Sequence, residues 1–136
     1  MNYVLDTDIV IYFLKGHKSV TTKILSKAIE ELAITRITAT ELLFGAYNSE
    51  KQQDNLKLVH NLLNDFYILE FEETASEIFA YQKAFLKKSG SLIADMDLMI
   101  ASICLAQKKV LVTNNTRHFE RIKDLKLENW SEERFR

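Results

Sequence analysis

The chain has no proline, three glycines (Gly16, Gly45 and Gly90) and one cysteine among 136 residues. With so little turn punctuation and no low-complexity stretch, nothing in it reads as a linker, and the length suits one domain over residues 1–136. A single thiol, Cys104 in the apolar run MIASICLAQ, forms no intrachain disulfide framework and fits a reducing compartment. No apolar run approaches the roughly 20 residues that cross a bilayer, and the N-terminus lacks the basic and apolar regions of a signal peptide. The expectation is a soluble, cytoplasmic protein with no membrane partner. A dominant charge is missing as well: the net value is −1 and the pI about 6.3, so the totals carry no broad footprint for long nucleic acid. Lys108, Lys109, Arg117, Arg121, Lys123 and Lys126 cluster toward the C-terminus, either as a local basic patch or as ordinary solvated surface.

What is present is an alternation of two periodicities. Residues 3–5, 33–35, 67–71 and 110–113 are short runs rich in aromatic and β-branched side chains, as strands are, and LKLENW alternates like a short edge strand. Helical spacing runs through 19–31 and 51–65, and again from residue 75, where Thr74 is a plausible cap. Residues 93–107 are apolar nearly all round, which predicts a central helix packed from several sides. Short strands between helices predict an α/β fold: a mostly parallel central sheet of four to five strands, flanked by helices in three layers.

Four carboxylates interrupt this pattern: Asp6 in YVLDTD, Glu41 in TATELLFGAY, and Asp95 and Asp97 in LIADMDLMIA. An uncompensated buried carboxylate costs several kcal/mol, on a scale of roughly 2–7 for a buried polar group, so a hard divalent cation is the natural partner. Asp6 closes the first strand, the edge at which parallel sheets collect ligands. Asp8 reads as a helix N-cap or as a metal ligand, and Thr7 can cap or hydrogen-bond a neighbouring carboxylate. Glu41 follows the second strand, in a helix that Thr38 or Thr40 can cap. Taken alone it is an acid complementing a helix dipole; taken with Asp6 and Asp97 it belongs to the site. Asp95 and Asp97 lie about 200° apart around a helix, so only one can face the site. Asp97 is assigned to the metal and Asp95 to a cap or supporting role. After the strand run VLVT, which ends in Thr113, come Asn114 and Asn115, again at a strand end. The asparagines read as a polar turn, or as amides that orient water beside the metal. Such a cluster suits metal-assisted phosphodiester hydrolysis.

At these residues the chain resembles the PIN-domain ribonucleases, and more closely the VapC toxins of type II toxin–antitoxin pairs. The resemblance rests on YVLDTDIVIYFL, ITATELLFGA, IADMDLMIAS and VTNNTRHFERI with LENW, in that order over nearly the whole chain. It implies a PIN-like (Rossmann-like) fold and a Mg²⁺-dependent endoribonuclease, with Mn²⁺ able to substitute. Asp6 and Asp97 then bind metal, and Asp6, Glu41 and Asp97 carry catalysis. It further implies neutralisation by a VapB-like antitoxin, homodimerisation, and a hetero-oligomer that reaches DNA only through the antitoxin. Transfer RNA is a common target of such enzymes. Two positions depart from the family pattern: Asn115 stands where many PIN domains carry a fourth Asp, and Asp8 replaces a common Asn. One resting metal, with a second recruited by substrate phosphate, is the expectation that follows.

Lys15, Arg36, Lys87, Lys88 and Arg117 are candidates for RNA contact. His17, His60 and His118 lack metal-ligand spacing and any obvious carboxylate partner, and read as surface or packing residues. Met96 and Met99 read as core filling, Cys104 as a buried thiol, and Tyr3, Tyr12, Phe13, Phe44 and Tyr47 as core or dimer surface. Two further readings are a catalytically inert interaction module of this fold and a phosphorylation-receiver domain, which also gathers acids at strand ends.

Overall fold

The computed structural model describes residues 2–132. Its five strands, Tyr3–Leu5 (β1), Leu32–Thr35 (β2), Tyr67–Leu69 (β3), Val110–Val112 (β4) and Leu127–Glu128 (β5), form one sheet in the order β3-β2-β1-β4-β5. Every neighbouring pair is parallel. Parallel strands need crossovers, and the helices supply them: Thr7–Leu14 (α1), Lys18–Leu25 (α2), Arg36–Tyr47 (α3), Gln52–Asp65 (α4), Glu73–Lys88 (α5), Asp95–Gln107 (α6) and Thr116–Phe119 (α7). This order differs from the 2-1-3-4-5 order of receiver domains, so that reading is set aside.

The alternation of side chains along each strand separates two cores. Val4 pairs in register with Ala33 and Leu111, and these face a cluster with α5 and α6 through Leu86, Leu98, Ile100 and Ile103. Leu5 and Val112, aligned one residue further on, face the other layer with Ile34, Ile9, Val20, Leu42 and Leu62. Both faces of β1 are covered, and Val4 and Leu5 are fully buried. The helix α6 is the central one expected from its composition: its buried Ser102 donates to the Leu98 carbonyl at 2.7 Å, and Cys104 is a buried free thiol. The last described segment is held by Trp130, which packs edge-on against Tyr3 with ring centroids 5.1 Å apart. Its indole N–H donates to Glu128 Oε1 at 2.9 Å, and Ser19 Oγ donates to its carbonyl at 2.9 Å.

Several local expectations change. The helical stripe over 19–31 stops at Leu25, because Ser26 Oγ donates to the Lys23 carbonyl at 2.6 Å and Ala28 turns extended ahead of a single 3₁₀ turn, Ile29–Glu31. The cap of α3 is Thr35, not Thr38 or Thr40: β2 runs straight into the helix, and Thr35 Oγ1 accepts the Thr38 N–H at 3.1 Å. Thr74 does not cap α5, which begins one residue earlier with Glu72 at the cap position. Met96 is exposed because it lies on the solvent side of the first turn of α6, whereas Met99 is half-buried. Tyr3, Tyr12 and Phe13 pack on the core, while Phe44 and Tyr47 are exposed on α3.

Candidate functional site

The chain leaves β1 in opposite directions: β2 and β3 lie on one side, β4 and β5 on the other. The gap beyond the carboxyl ends of β1 and β4 is therefore the switch point at which open α/β sheets bind ligands. Asp6 is the first residue past β1. Its backbone N–H bonds to the Val112 carbonyl at 2.8 Å, and no loop separates the strand from α1. Asp6, rather than Asp8, is thus the N-cap of α1, with Oδ1 accepting the Thr7 N–H at 2.8 Å. Its other oxygen accepts from Thr113 Oγ1 at 2.8 Å, a hydroxyl from the end of β4.

Asp8, the second residue of α1, reaches the same strand end. Its Oδ2 accepts the Asn114 N–H at 3.1 Å and lies 3.5 Å from Thr113 Oγ1, while its Oδ1 is buried without a hydrogen-bond partner among the described residues. On the other side, Thr7 Oγ1 donates to Glu41 Oε1 at 2.6 Å and lies 3.0 Å from Thr38 Oγ1. Glu41 sits in the second turn of α3 and is half-buried. Asp97 lies in the first turn of α6, where His118 Nε2 is 3.2 Å from its Oδ2. His118 therefore has a carboxylate partner, contrary to the sequence expectation. The pair is 21 residues apart and forms only because α6, β4 and α7 fold back on one another. His17 and His60 match expectation: His17 caps α2 and packs on Tyr12, and His60 is exposed.

Asp95 points away from this gap. It does not cap α6, whose cap position is Ala94; its carboxylate pairs with Lys83 of α5 at 3.0 Å on the surface. Asn115 follows Asn114 at the start of α7. Its N–H donates to Thr113 Oγ1 at 3.0 Å, and its side chain is exposed, with no hydrogen bond among the described residues. Asn114 joins an outer polar cluster, donating to Tyr12 Oη at 3.3 Å and accepting from Ser131 Oγ at 2.6 Å.

The electrostatics follow from this crowding. Burial, then the charge of Asp8, push Asp6 up to about 7; the Thr113 and Thr7 hydrogen bonds oppose the rise, and Asp97 adds to it. Asp8 is also raised, chiefly by burial, against the Asn114 N–H. Among the described residues no lysine or arginine pairs with Asp6, Asp8, Glu41 or Asp97. Nor do any three acidic, histidine or cysteine side chains already stand as a closed ligand set. Oxygen donors crowded together, with one buried carboxylate oxygen unpartnered, are the donor chemistry that a hard divalent cation takes. Of the basic candidates, Lys15, Lys87, Lys88 and Arg117 are exposed, and Arg36 is engaged by Glu70 through contacts of 2.9 and 2.6 Å. That exposed pair favours the charged form of each partner.

A parallel sheet in this order, with acids gathered at its switch point, is the arrangement of a PIN domain, and the family model for the PIN domain matches residues 3–125. The chain belongs to the PIN-domain family. Within it, the chain falls among the VapC ribonucleases: it is 34% identical to Ribonuclease VapC2 of Haemophilus influenzae over 130 residues, 96% of this chain and 98% of the relative. A tRNA(fMet)-specific endonuclease VapC of Shigella flexneri is 28% identical, over 96% of this chain and 99% of that protein. Among solved structures, a DNA-bound VapBC complex from Salmonella typhimurium matches with a TM-score of 0.90 at 28% identity, over 96% of this chain and 98% of that one. VapBC2 from Rickettsia felis, bound to a promoter DNA fragment, matches at 0.87 and 32% identity, over 96% and 99%.

Proposed function

We propose that this protein is a Mg²⁺-dependent endoribonuclease toxin that hydrolyses RNA phosphodiester bonds and is neutralised by a VapB-like antitoxin. The observation that carries the reading is the meeting of Asp6, Asp8 and Asp97 at the β1–β4 switch point without a lysine or arginine counterion among the described residues. Asp6 and Asp97 would hold Mg²⁺, or Mn²⁺ in its place. When bound, the cation neutralises charge on the scissile phosphate and acidifies water. Glu41 has one oxygen taken by Thr7, which leaves Oε2 to accept a proton from the water that attacks phosphorus. Thr113 and Asn114 fix Asp6 and Asp8, and the exposed Asn115 amide is free to orient water.

The names of the relatives support the rest. The Shigella flexneri protein makes transfer RNA the first substrate class to test. The VapBC complexes support an antitoxin partner, a hetero-oligomer, and DNA contact made through that partner. We read the chain as a single PIN domain, homodimeric and cytoplasmic, and no described helix is long and apolar enough to cross a membrane. With net charge near zero, capture of RNA depends on local cations such as Lys15, Lys87, Lys88 and Arg117.

The test is to map new RNA 5′ ends after brief induction of the protein and of its Asp6→Asn variant, with and without a co-expressed VapB-like antitoxin. Discrete new ends from the unmodified protein alone, suppressed by the antitoxin, are expected. Identical ends from the variant would overturn the site. A second reading, the inert interaction module, is favoured by Asn115 standing in an acid's place; it predicts no new ends from either protein.

A further inference from the structure

We infer that His118 is a positioning residue: its imidazole holds the Asp97 carboxylate in the orientation from which a divalent cation can use it, an inference that rests on the metal-site reading above. The contact from His118 Nε2 to Asp97 Oδ2, at 3.2 Å, is the one hydrogen bond the Asp97 side chain makes among the described residues. Asp97 stands on the partly open first turn of α6, about one-third exposed, so nothing else described there fixes its torsions. A donor on Oδ2 orients the carboxylate and leaves Oδ1 to a ligand. Carboxylates that bind metals are commonly oriented in this way by a partner behind them.

The imidazole is itself anchored. The His118 backbone N–H donates to the Asn115 carbonyl at 3.1 Å, and the ring meets Phe119 edge-on, with centroids 5.4 Å apart and planes at 80°. Phe119 is buried in the core beneath α7 and fixes that short helix. What the segment after β4 adds beside Asp97 is therefore a hydrogen-bond donor and not a further charge. Asn115, in the place of the family's usual acid, leaves its side chain in solvent, while His118 one turn later reaches the site. With Asp8 already raising the proton affinity of Asp6, and Asp97 that of both, a fourth acid would add repulsion. A donor orients the Asp97 carboxylate without adding a further negative charge.

The experiment is a Mn²⁺ titration of the full-length protein without RNA, read by calorimetry, for the unmodified chain, His118→Ala, His118→Gln and Asp97→Asn. Glutamine carries an N–H donor near the reach of imidazole Nε2, so a positioning role predicts a split that packing alone does not. His118→Ala should weaken Mn²⁺ binding by about 10- to 100-fold, and His118→Gln should restore most of it. Affinity within twofold of the unmodified chain in His118→Ala, with Asp97→Asn abolishing binding, would overturn the inference and leave the site intact. Glutamine as weak as alanine in a folded protein would overturn it too. Unchanged binding in Asp97→Asn would instead bring down the metal site itself. Should the alanine variant not fold, His118→Leu keeps the volume beside Phe119 and carries the same comparison.

Discussion

The Thr7 hydroxyl donates to Glu41 Oε1 at 2.6 Å and so ties the first residue of α1 to the second turn of α3. Two strand–helix junctions, β1 to α1 and β2 to α3, are thereby locked together at the carboxyl edge of the sheet. Thr7→Val keeps the side-chain shape and removes the donor. It should lower RNA cleavage about 10- to 100-fold, as loss of an orienting contact does. Unfolding stability should fall by only about 1 kcal/mol. Cleavage assays beside denaturant melts check both; full activity in the variant would mean that Glu41 needs no such tether.

Replacing Asp6 by Asn preserves the cap of α1, because an Asn oxygen accepts the Thr7 N–H as well as an Asp oxygen does. It removes a buried charge that Asp8 and Asp97 repel. Without metal, Asp6→Asn should therefore melt at or above the unmodified protein while cleaving no RNA, and thermal melts in chelator with a parallel cleavage assay read both. Asp97→Asn should show the same loss of activity.

The pH dependence of the metal-free protein has a definite sign. Asp6 is held at about 7 in the fold, against an ordinary value of 3.8, so the folded state binds the extra proton between these limits. Stability is then fully present below about pH 4 and is lost as pH rises through 7, the opposite of a salt-bridged carboxylate. Each tenfold change in proton affinity is worth about 1.4 kcal/mol, so the loss is on the order of 2–4 kcal/mol. Saturating Mg²⁺ should flatten the slope. Denaturant melts at pH 5 and pH 8, with and without Mg²⁺, measure it; rising metal-free stability across that interval would contradict the burial of Asp6.

Asn115→Asp places an acid on an exposed side chain, so its effect on the melting midpoint should stay within about 0.5 kcal/mol of zero. The change should appear in metal stoichiometry, from one Mn²⁺ per chain in the unmodified protein toward two in the variant, by calorimetric titration. Two sites in the unmodified chain would show that Asp8 already supplies the missing charge.

How much of this was legible in the sequence depended on the range of each interaction. The angle between Asp95 and Asp97 around a helix showed that only one could face the site; the structure sends Asp97 toward Asp6, and Asp95 to Lys83 on the surface rather than to the cap or supporting role expected of it. The strand runs were visible to within a residue or two because burial on both faces of β1 makes it a continuous apolar run. Caps were misplaced where a strand passes into a helix with no loop, since Asp6 and Thr35 then serve as strand end and cap at once. His118 was invisible as a site residue. Its partner is distant in the chain, and only the packing of Phe119 beneath α7 brings the ring to Asp97.

Trp130 is the only tryptophan of the chain, and it is buried against Tyr3 at the start of the central strand while belonging to the segment that follows the edge strand β5. The protein therefore carries a built-in optical gauge of the seam between its edge strand and the sheet. Indole emission should shift to longer wavelength when β5 and the chain beyond it peel from the sheet. Far-ultraviolet ellipticity, dominated by the helices, registers their melting instead. If the emission shift precedes the loss of ellipticity on heating, the two-residue β5 is the point from which the molecule opens.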